Sequence, residues 1–424
     1  MKTHDVLPSV TLRMRAALAI LWICAFVAVP FWIAADHVGW DVAIYHHAIR
    51  SLQLHHDPYW DAIAIQDAFH RTLAFHPNAT TPFSYVYSPI TLPLLRLIGA
   101  LPVSLTASLY WILYVFCALS LVWVGLQLTQ PREHQPFLFI APAVLFFPGL
   151  LQHDAILSGN VAVILYGFVL AAAVLGWRSG KWSWCYLAIL LASCFKPPLL
   201  SLLAIPLFSA RRQLLPTAIT AAAGGALLAM QPLVCPSLFH NFLHAIELQF
   251  TYNRDFGCSP AGLVSNLLVA HGIPYSPAGT LVYVAYALPL FGLLLYLSRE
   301  FLAARFTLQQ WIPVLLVGVI LLNPRIMQYD VLPLTLPMAL IGWRSLSRVT
   351  SRPVAILIFC AVLAPANLFA VQTLDHWKTA EGTLLVVVFA AGCWDLLHWS
   401  PSFRADKIAA QLKRQQIADL KELK

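Results

Sequence analysis

The chain has 424 residues, of which 60% are hydrophobic and only 10% charged. Soluble domains carry about 25% charged residues, so this composition excludes a soluble domain, a disordered chain, a collagen and a coiled coil. An outer-membrane barrel is also disfavoured, because its strands alternate in polarity and lack long continuous apolar runs. The class that remains is an all-α polytopic membrane protein.

Apolar segments of membrane-spanning length recur along the chain. A span needs about 20 apolar residues, since the hydrocarbon core is ~30 Å thick. The first segment follows Arg13 and Arg15, and we interpret it as a retained helix with a cytoplasmic N-terminus rather than a signal peptide. The pattern predicts about 12 spans, between about 10 and 13 because segment 83–100 is ambiguous. They are 16–34, 105–127, 137–149, 160–176, 182–195, 196–208, 214–234, 279–298, 311–322, 331–343, 353–370 and 383–399.

The net charge of +8 indicates topology rather than nucleic-acid binding. If 83–100 does not cross, most Lys and Arg residues fall on the cytoplasmic side, as the positive-inside rule requires. We therefore expect a lipid bilayer as partner and no nucleic acid. Residues 1–403 form a single transmembrane domain with two long outer loops, 35–82 and 235–278. The tail 404–424 is predicted to be a basic amphipathic helix on the cytoplasmic surface, with a solvated charged helix as the alternative.

The first outer loop concentrates ionisable residues. A helix is predicted to begin near Gly39, and on it Asp41 and Tyr45 share one face. A carboxylate there is suited to take a proton from a hydroxyl, but spacing alone favours a first-turn acid or helix cap. The loop also holds seven histidines, including the adjacent pairs His46–His47 and His55–His56. Adjacent residues on a helix face different ways, so we expect no metal site.

Aromatic and turn residues follow in the same loop. Asp57-Pro58-Tyr59 is typical of a turn, in which Asp accepts backbone hydrogen bonds and Pro fixes φ. Tyr85 and Tyr87 lie on one side of an extended stretch that enters the membrane. They form either an aromatic belt at the interface or a wall for a sugar ring or lipid head group.

The order of these motifs resembles the GT-C superfamily of membrane glycosyltransferases. It is most similar to the polyprenyl-phosphate-mannose-dependent α-(1→2)-mannosyltransferase family. The resemblance spans residues 36 to 342 and rests on the following motifs: Asp41-x3-Tyr45-x2-Ala48, Asp57-Pro58-Tyr59, Tyr85-x-Tyr87-x-Pro89, Lys196-Pro197-Pro198, Cys258-Ser259-Pro260-Ala261-Gly262-Leu263 and Asn323-Pro324-Arg325-x3-Tyr329-Asp330.

Two motifs depart from the family pattern. Where the family often has Gly-Gln-x-Asn, this chain has Gly159-Asn160-Val161-Ala162. The late motif often carries Trp and His before its Tyr, and here those positions are Ile326, Met327 and Gln328. The departures leave the donor sugar and the acceptor open.

The resemblance implies that a hexose, first of all mannose, moves with inversion from a polyprenyl-phosphate donor. The acceptor is a hydroxyl of a lipid-linked or envelope glycan. The reaction takes place at the periplasmic face of a bacterial inner membrane. Nothing in the sequence demands a cofactor or a divalent metal ion, so we expect neither, although metal dependence stays open. Asp41 matches the family's acidic residue and is the predicted general base. Tyr45, Asp57, Tyr59, Tyr85, Tyr87, Tyr329 and Asp330 are the predicted substrate-binding residues.

Cations on the outer face are candidates to stabilise the phosphate leaving group. Lys196 is first, since an ionisable residue between two apolar segments is energetically costly, although it can also snorkel to the interface. Arg325 is second and Arg254 third; for Arg254 the alternatives are pairing with Asp255 or plain solvation.

Two other functions fit the same sequence. A transporter or lipid flippase also needs many helices and a few charges, but it predicts charges at mid-membrane depth in paired broken helices. Here the charges cluster in loops at one face. A related GT-C enzyme that moves another glycan, such as an arabinosyl or glucosyl transferase or an oligosaccharide ligase, is not separated from a mannosyltransferase by the sequence.

Overall fold

The computed structural model describes residues 39–73, 84–130, 133, 158–253, 256–271, 273, 277–355, 357–358 and 377–399. The segments 16–34 and 137–149, most of 353–370, and the tail 404–424 lie outside the described residues, as does Arg254. The described residues form helices and connecting turns with no strand among them. This confirms the prediction of an all-α chain for that part of the sequence.

The first half of the described chain holds eight α-helices and two 3-10 turns. The helices are α1 (Trp40–Gln53), α2 (Pro58–Leu73), α3 (Leu92–Gly99), α4 (Val103–Gln127), α5 (Val161–Ser179), α6 (Ser183–Phe195), α7 (Ala204–Ser209) and α8 (Leu214–Val234). The 3-10 turn Pro89–Thr91 precedes α3, and the longer turn Pro197–Leu203 joins α6 to α7.

The second half continues with seven further α-helices in the described residues. They are α9 (Pro236–Asn253), α10 (Pro260–Ala270), α11 (Ala278–Leu302), α12 (Leu308–Leu321), α13 (Gln328–Val331), α14 (Thr335–Val349) and α15 (Trp377–Trp399). A 3-10 turn, Leu332–Leu334, connects α13 to α14.

Five of the described helices are long and apolar enough to cross a membrane: α4, α5, α8, α11 and, over Lys378–His398, α15. Together they support a polytopic membrane protein. The total of about 12 spans stays a prediction. The ambiguous segment 83–100 holds only the short helical stretch Pro89–Gly99. At 1.5 Å per residue this stretch is about 17 Å long, which is too short to cross the bilayer.

A helical hairpin occupies residues 183–209, where the sequence predicts two spans. Helix α6 has 13 residues, so it is about 20 Å long and shorter than the hydrocarbon core. The chain then turns at Lys196 and returns through the 3-10 turn and α7. The indole of Trp177, near the end of α5, donates to Ser209 Oγ at 2.8 Å. The two ends of the hairpin therefore lie at the same end of the molecule, and Lys196 lies at the tip of the hairpin.

Two apolar clusters hold the described residues together. The larger is built mainly from α4, α5, α6, α7, α12 and α14. The smaller joins α1, α2, α3 and α9 around the buried ring of Tyr85. We call these four helices, with residues 84–88, the cap layer. It brings together parts of the two long loops that the sequence predicts on the outer face.

Basic side chains meet at the opposite end of the molecule from the cap layer. Arg178 donates to Gln127, and Arg211 donates to the carbonyl of Leu302 at 2.8 Å. Arg344 forms a buried, bidentate ion pair with Glu133, with N···O distances of 2.7 and 2.8 Å. We call this region the basic end. Helix α5 has 19 residues and runs about 28 Å from the cap layer to it.

Candidate active site

Asp41 lies where the cap layer meets the end of α5. Gly39 begins α1 with φ of 85°, a conformation that favours glycine. The backbone N–H of Asp41 donates to the carbonyl of Ser158 at 3.0 Å, and the side chain is only 8% exposed. Its Oδ2 accepts from Asn160 Nδ2 at 3.0 Å. Asp41 is therefore a first-turn acid of α1, one of the two alternatives that spacing favours, but it does not cap that helix, because its carboxylate bonds to Asn160 at the beginning of α5.

Asn160 is the N-cap of α5 and connects three parts of the site. Its Oδ1 accepts from the backbone N–H of Ala162 at 2.9 Å and from Lys196 Nζ at 3.1 Å. These two donors fix which end of the amide is oxygen, so Nδ2 must face Asp41. The same Nδ2 lies 3.4 Å from the hydroxyl of Tyr87.

Lys196 brings a positive charge to this carboxylate. Its ammonium lies 3.6 Å from the ring centre of Tyr329, a cation–π contact. The charges of Asp330, Asp41 and Arg325 all act on it. Asp330 is itself held in place, since Oδ1 accepts from Tyr166 at 3.1 Å and Oδ2 from the backbone of Met327 at 3.0 Å. Tyr329 and Asp330 of the late motif thus lie near Asp41 of the first outer loop, and the predicted site residues of both segments belong to one region.

Three tyrosines line the same region. The hydroxyls of Tyr45 and Tyr87 are 2.9 Å apart, and Tyr45 accepts from the N–H of Val161, the first residue of α5, at 3.1 Å. Tyr110 of α4 donates to the carbonyl of Gly159. Burial raises the pKa of Tyr45 and Tyr87 well above the usual value of 10.0. Both therefore remain neutral hydroxyls that can donate and accept hydrogen bonds.

Burial also raises the pKa of Asp41 above its usual 3.8. The hydrogen bond from Asn160, the charge of Lys196 and the hydrogen bond from Ser158 act in the opposite direction. Desolvation penalises the charged carboxylate, whereas donors and a cation stabilise it. The result is a carboxylate that is more basic than an exposed one yet sits among groups that favour its charged form.

Asp57, Tyr59 and Tyr85 lie deeper in the cap layer. Asp57 accepts from the backbone of Tyr59 at 2.8 Å and from Asn241 Nδ2 of α9 at 2.8 Å. Tyr59 is fully buried and donates to the carbonyl of Tyr87 at 2.6 Å, while its ring centre lies 5.9 Å from that of Tyr85. These contacts position Tyr87; substrate binding by the three residues stays a prediction.

Arg325 lies on a turn that the second long loop holds. The N–H of Cys258 donates to the carbonyl of Ile326 at 2.8 Å, and Ser259 Oγ donates to the carbonyl of Pro324. The two downstream motifs of the resemblance therefore contact each other. The described residues contain no group of three or more His, Cys, Asp or Glu that could hold a metal ion.

The sequence did not identify Asn160 as a site residue, although it links Asp41 to Lys196. Its position in a Gly-Asn pair before an apolar run is typical of an N-cap, which was the available signal. The other roles depend on contacts between distant segments. Ser158 is 117 positions from Asp41, and no local pattern marks such a pair.

Comparisons with known proteins found no match: no family model, curated protein or solved structure resembles this chain. The site is therefore interpreted from its own geometry and from the motifs described above.

Proposed function

We propose that the protein is a membrane glycosyltransferase with the GT-C fold and about 12 spans. It moves a hexose, mannose first of all, from a polyprenyl-phosphate donor to a hydroxyl of a lipid-linked or envelope glycan. Asp41 accepts the hydroxyl proton as the acceptor oxygen bonds to the anomeric carbon from the side opposite the phosphate. The bond between that carbon and the phosphate oxygen breaks, and the polyprenyl phosphate leaves with the electron pair.

The observation that carries the proposal is the pairing of a buried carboxylate with a nearby lysine through one amide. A general base must be within hydrogen-bond reach of its proton, with a pKa closer to the working pH than an exposed carboxylate has. Asp41 meets the second condition because burial raises its pKa. The first condition depends on where the acceptor hydroxyl binds.

Lys196 is suited to the leaving group. A phosphate gains negative charge as the sugar departs, and a preorganised cation stabilises that charge. In the proposed reaction, Lys196 contacts the phosphate and Arg325 adds a second positive charge nearby. Tyr329 supports the lysine through its ring. The acidic residue that faces the lysine from this side, Asp330, is held by hydrogen bonds from Tyr166 and Met327.

The hydroxyls of Tyr45 and Tyr87 are suited to hold sugar hydroxyls next to Asp41. They remain neutral and lie 2.9 Å apart. Aromatic rings also stack on the apolar faces of sugars, and the rings of Tyr45, Tyr87 and Tyr110 lie close together, with centroid distances of 5.5 and 5.9 Å from Tyr45. We therefore assign the acceptor to this tyrosine side of Asp41 and the donor phosphate to the lysine side.

The test is a transfer assay with the purified full-length protein in phosphatidylethanolamine–phosphatidylglycerol liposomes. The donors are polyprenyl phosphates that carry radiolabelled mannose, glucose or arabinose. The acceptors are glycolipids and glycans extracted from cells that lack the protein. We expect labelled, anomerically inverted product from the mannose donor. Movement of intact donor across the bilayer without product would instead identify a lipid transporter and contradict the proposal.

A further inference from the structure

Asn160 makes more side-chain hydrogen bonds than an N-cap requires. An N-cap needs only an oxygen that accepts from the first turn of its helix, and Asp or Ser serves as well as Asn. Oδ1 of Asn160 performs that function by accepting from Ala162 at 2.9 Å. The amide nitrogen is left over, and it points to the carboxylate of Asp41 at 3.0 Å. Asn160 itself is 3% exposed, so water does not compete strongly for these bonds.

We propose that Asn160 is a positioning residue, which holds the Asp41 carboxylate as a hydrogen-bond acceptor and connects it to Lys196. The catalytic role in this inference rests on the proposed function. The hydrogen bonds from Asn160 to Asp41 and from Lys196 to Asn160 are independent of it. An amide donor can bond only to an acceptor, so Nδ2 favours the deprotonated, base-competent form of Asp41. Because Lys196 and the first turn of α5 both donate to Oδ1, they keep Nδ2 directed at the Asp41 carboxylate.

The charged and titratable groups around Asp41 come from four elements. Tyr45 is on its own helix, Tyr87 on the extended stretch 84–88, and Tyr110 and Tyr114 on α4; the charge of Asp41 acts on all four. Lys196, at the tip of the hairpin, supplies the positive charge. Tyrosine hydroxyls remain neutral here, so Asn160, Lys196 and the hydroxyl of Ser158 are the groups that hold the carboxylate in its charged form.

Asn160→Asp separates positioning from capping. Asp is an equally good N-cap and can still accept from Lys196. It presents an oxygen instead of an N–H to Asp41, and places a like charge beside it. Asn160→Ser keeps a capping oxygen but its side chain is too short to bridge. Asn241→Asp is the matched control, because Asn241 makes the same amide-to-carboxylate bond to Asp57 elsewhere in the cap layer, at 2.8 Å.

The measurement is an infrared titration of the Asp41 carboxyl in the full-length protein in detergent. Isotope-labelled aspartate and subtraction of the Asp41→Asn spectrum assign the band. We expect Asn160→Asp to raise the Asp41 titration midpoint by about one pH unit or more, as a neighbouring like charge does. Asn160→Ser raises it less, and Asn241→Asp leaves it unchanged. An unchanged midpoint in Asn160→Asp overturns the inference, whatever the outcome of the transfer assay.

Transfer assays then add a catalytic readout. We expect Asn160→Asp to lower kcat on the order of 100-fold, the lower range for loss of a general base, and to move the acid limb of the pH–rate profile upward. KM for the donor should change much less. An Asn160→Asp enzyme with wild-type kcat and profile would leave Asn160 a helix cap only. No transfer by the wild-type protein would contradict the proposed function, while the infrared midpoints would still decide the role of Asn160.

Discussion

Lys196 carries its charge at the tip of the hairpin, beside the first residues of α5. The ammonium contacts the oxygen of Asn160 at 3.1 Å and the ring of Tyr329. Neither contact neutralises it, and the nearby carboxylates of Asp41 and Asp330 are each bound by other donors. A charge held in this way is suited to an anionic ligand, which is the basis of the first prediction.

We expect Lys196→Gln to lower transfer on the order of 100-fold or more, the loss seen when one electrostatic donor to a developing anion is removed. The loss should appear mainly in kcat, because the phosphate gains charge in the transition state. Lys181→Gln is the control: Lys181 is exposed at the basic end, near the foot of the hairpin. Equal activity of the two variants would remove Lys196 from the reaction.

The raised pKa of Asp41 also affects stability. The folded protein binds the Asp41 proton more tightly than the unfolded chain, so stability falls as pH rises from the unfolded pKa of about 3.8 through the folded value. The buried carboxylate therefore destabilises the fold at neutral pH. Protonation of Asp41 also removes the proposed general base, so transfer should fall as pH is lowered through the pKa of Asp41 in the folded protein.

Asp41→Asn should consequently be more stable than wild type at pH 7. We expect a higher thermal unfolding midpoint in detergent, with a gap that narrows as pH falls toward the unfolded pKa of about 3.8, because Asp41 in the folded protein is then protonated and neutral. Differential scanning fluorimetry between pH 4 and 8 measures this difference in unfolding midpoint between Asp41→Asn and wild type. Asp67→Asn, which removes an exposed carboxylate of α2, should not change the midpoint. A less stable Asp41→Asn at pH 7 would contradict the burial argument.

At the scale of elements, the beginning of α5 is the part that assembles the site. Gly159 precedes it with φ of 66°, and an added Cβ would lie 2.7 Å from Val42 Cγ2 of α1. Gly180 follows the end of the same helix with φ of 72°, and an added Cβ there meets nothing within 4 Å. The two glycines share a backbone conformation and differ in their surroundings.

Gly159→Ala should therefore disturb the site, and Gly180→Ala should not. Both variants carry left-handed strain of roughly 1–2 kcal/mol. Only Gly159→Ala also pushes α1, with Asp41, away from Asn160. A displacement near 1 Å lowers rates on the order of 100-fold, so we expect that loss in Gly159→Ala and near-normal transfer in Gly180→Ala. Comparable activity in the two variants would show that transfer does not depend on the close contact between α1 and the beginning of α5.

The elements differ in how well the sequence predicts them. The helix that begins near Gly39 and the long apolar helices α4, α5, α8, α11 and α15 follow from continuous local patterns. The hairpin is less regular. Residues 182–195 and 196–208 are predicted as two spans, and the structure gives a 13-residue helix, a turn at Lys196 and a return through a 3-10 turn and the short helix α7. Whether both segments cross the bilayer stays a prediction.

At the scale of the whole molecule, charge divides the protein into two ends. Arg178, Arg211 and Arg344 meet at the basic end, and Asp41 lies at the other end with the cap layer. The sequence predicts this division from the positive-inside rule alone. It does not predict that Asn160 and Lys196, 36 residues apart, contact each other beside Asp41, because that convergence depends on how helices pack.

The division predicts which surfaces face the cell exterior. In a variant whose native cysteines are replaced, His47→Cys in α1 should react with a membrane-impermeant thiol reagent added to intact cells after outer-membrane permeabilisation. Lys181→Cys should react only after the inner membrane is opened. Both positions are exposed, so access to the reagent is the only difference. The reverse pattern would place the candidate site on the cytoplasmic face.

The central claim is that Asp41 takes the acceptor proton in sugar transfer from a polyprenyl phosphate. The most direct measurement compares wild type, Asp41→Asn and Asp67→Asn in the liposome transfer assay at matched protein amounts. We predict that Asp41→Asn loses on the order of 100- to 10,000-fold in kcat, while Asp67→Asn transfers at the wild-type rate. Wild-type turnover by a correctly inserted Asp41→Asn protein would contradict the account.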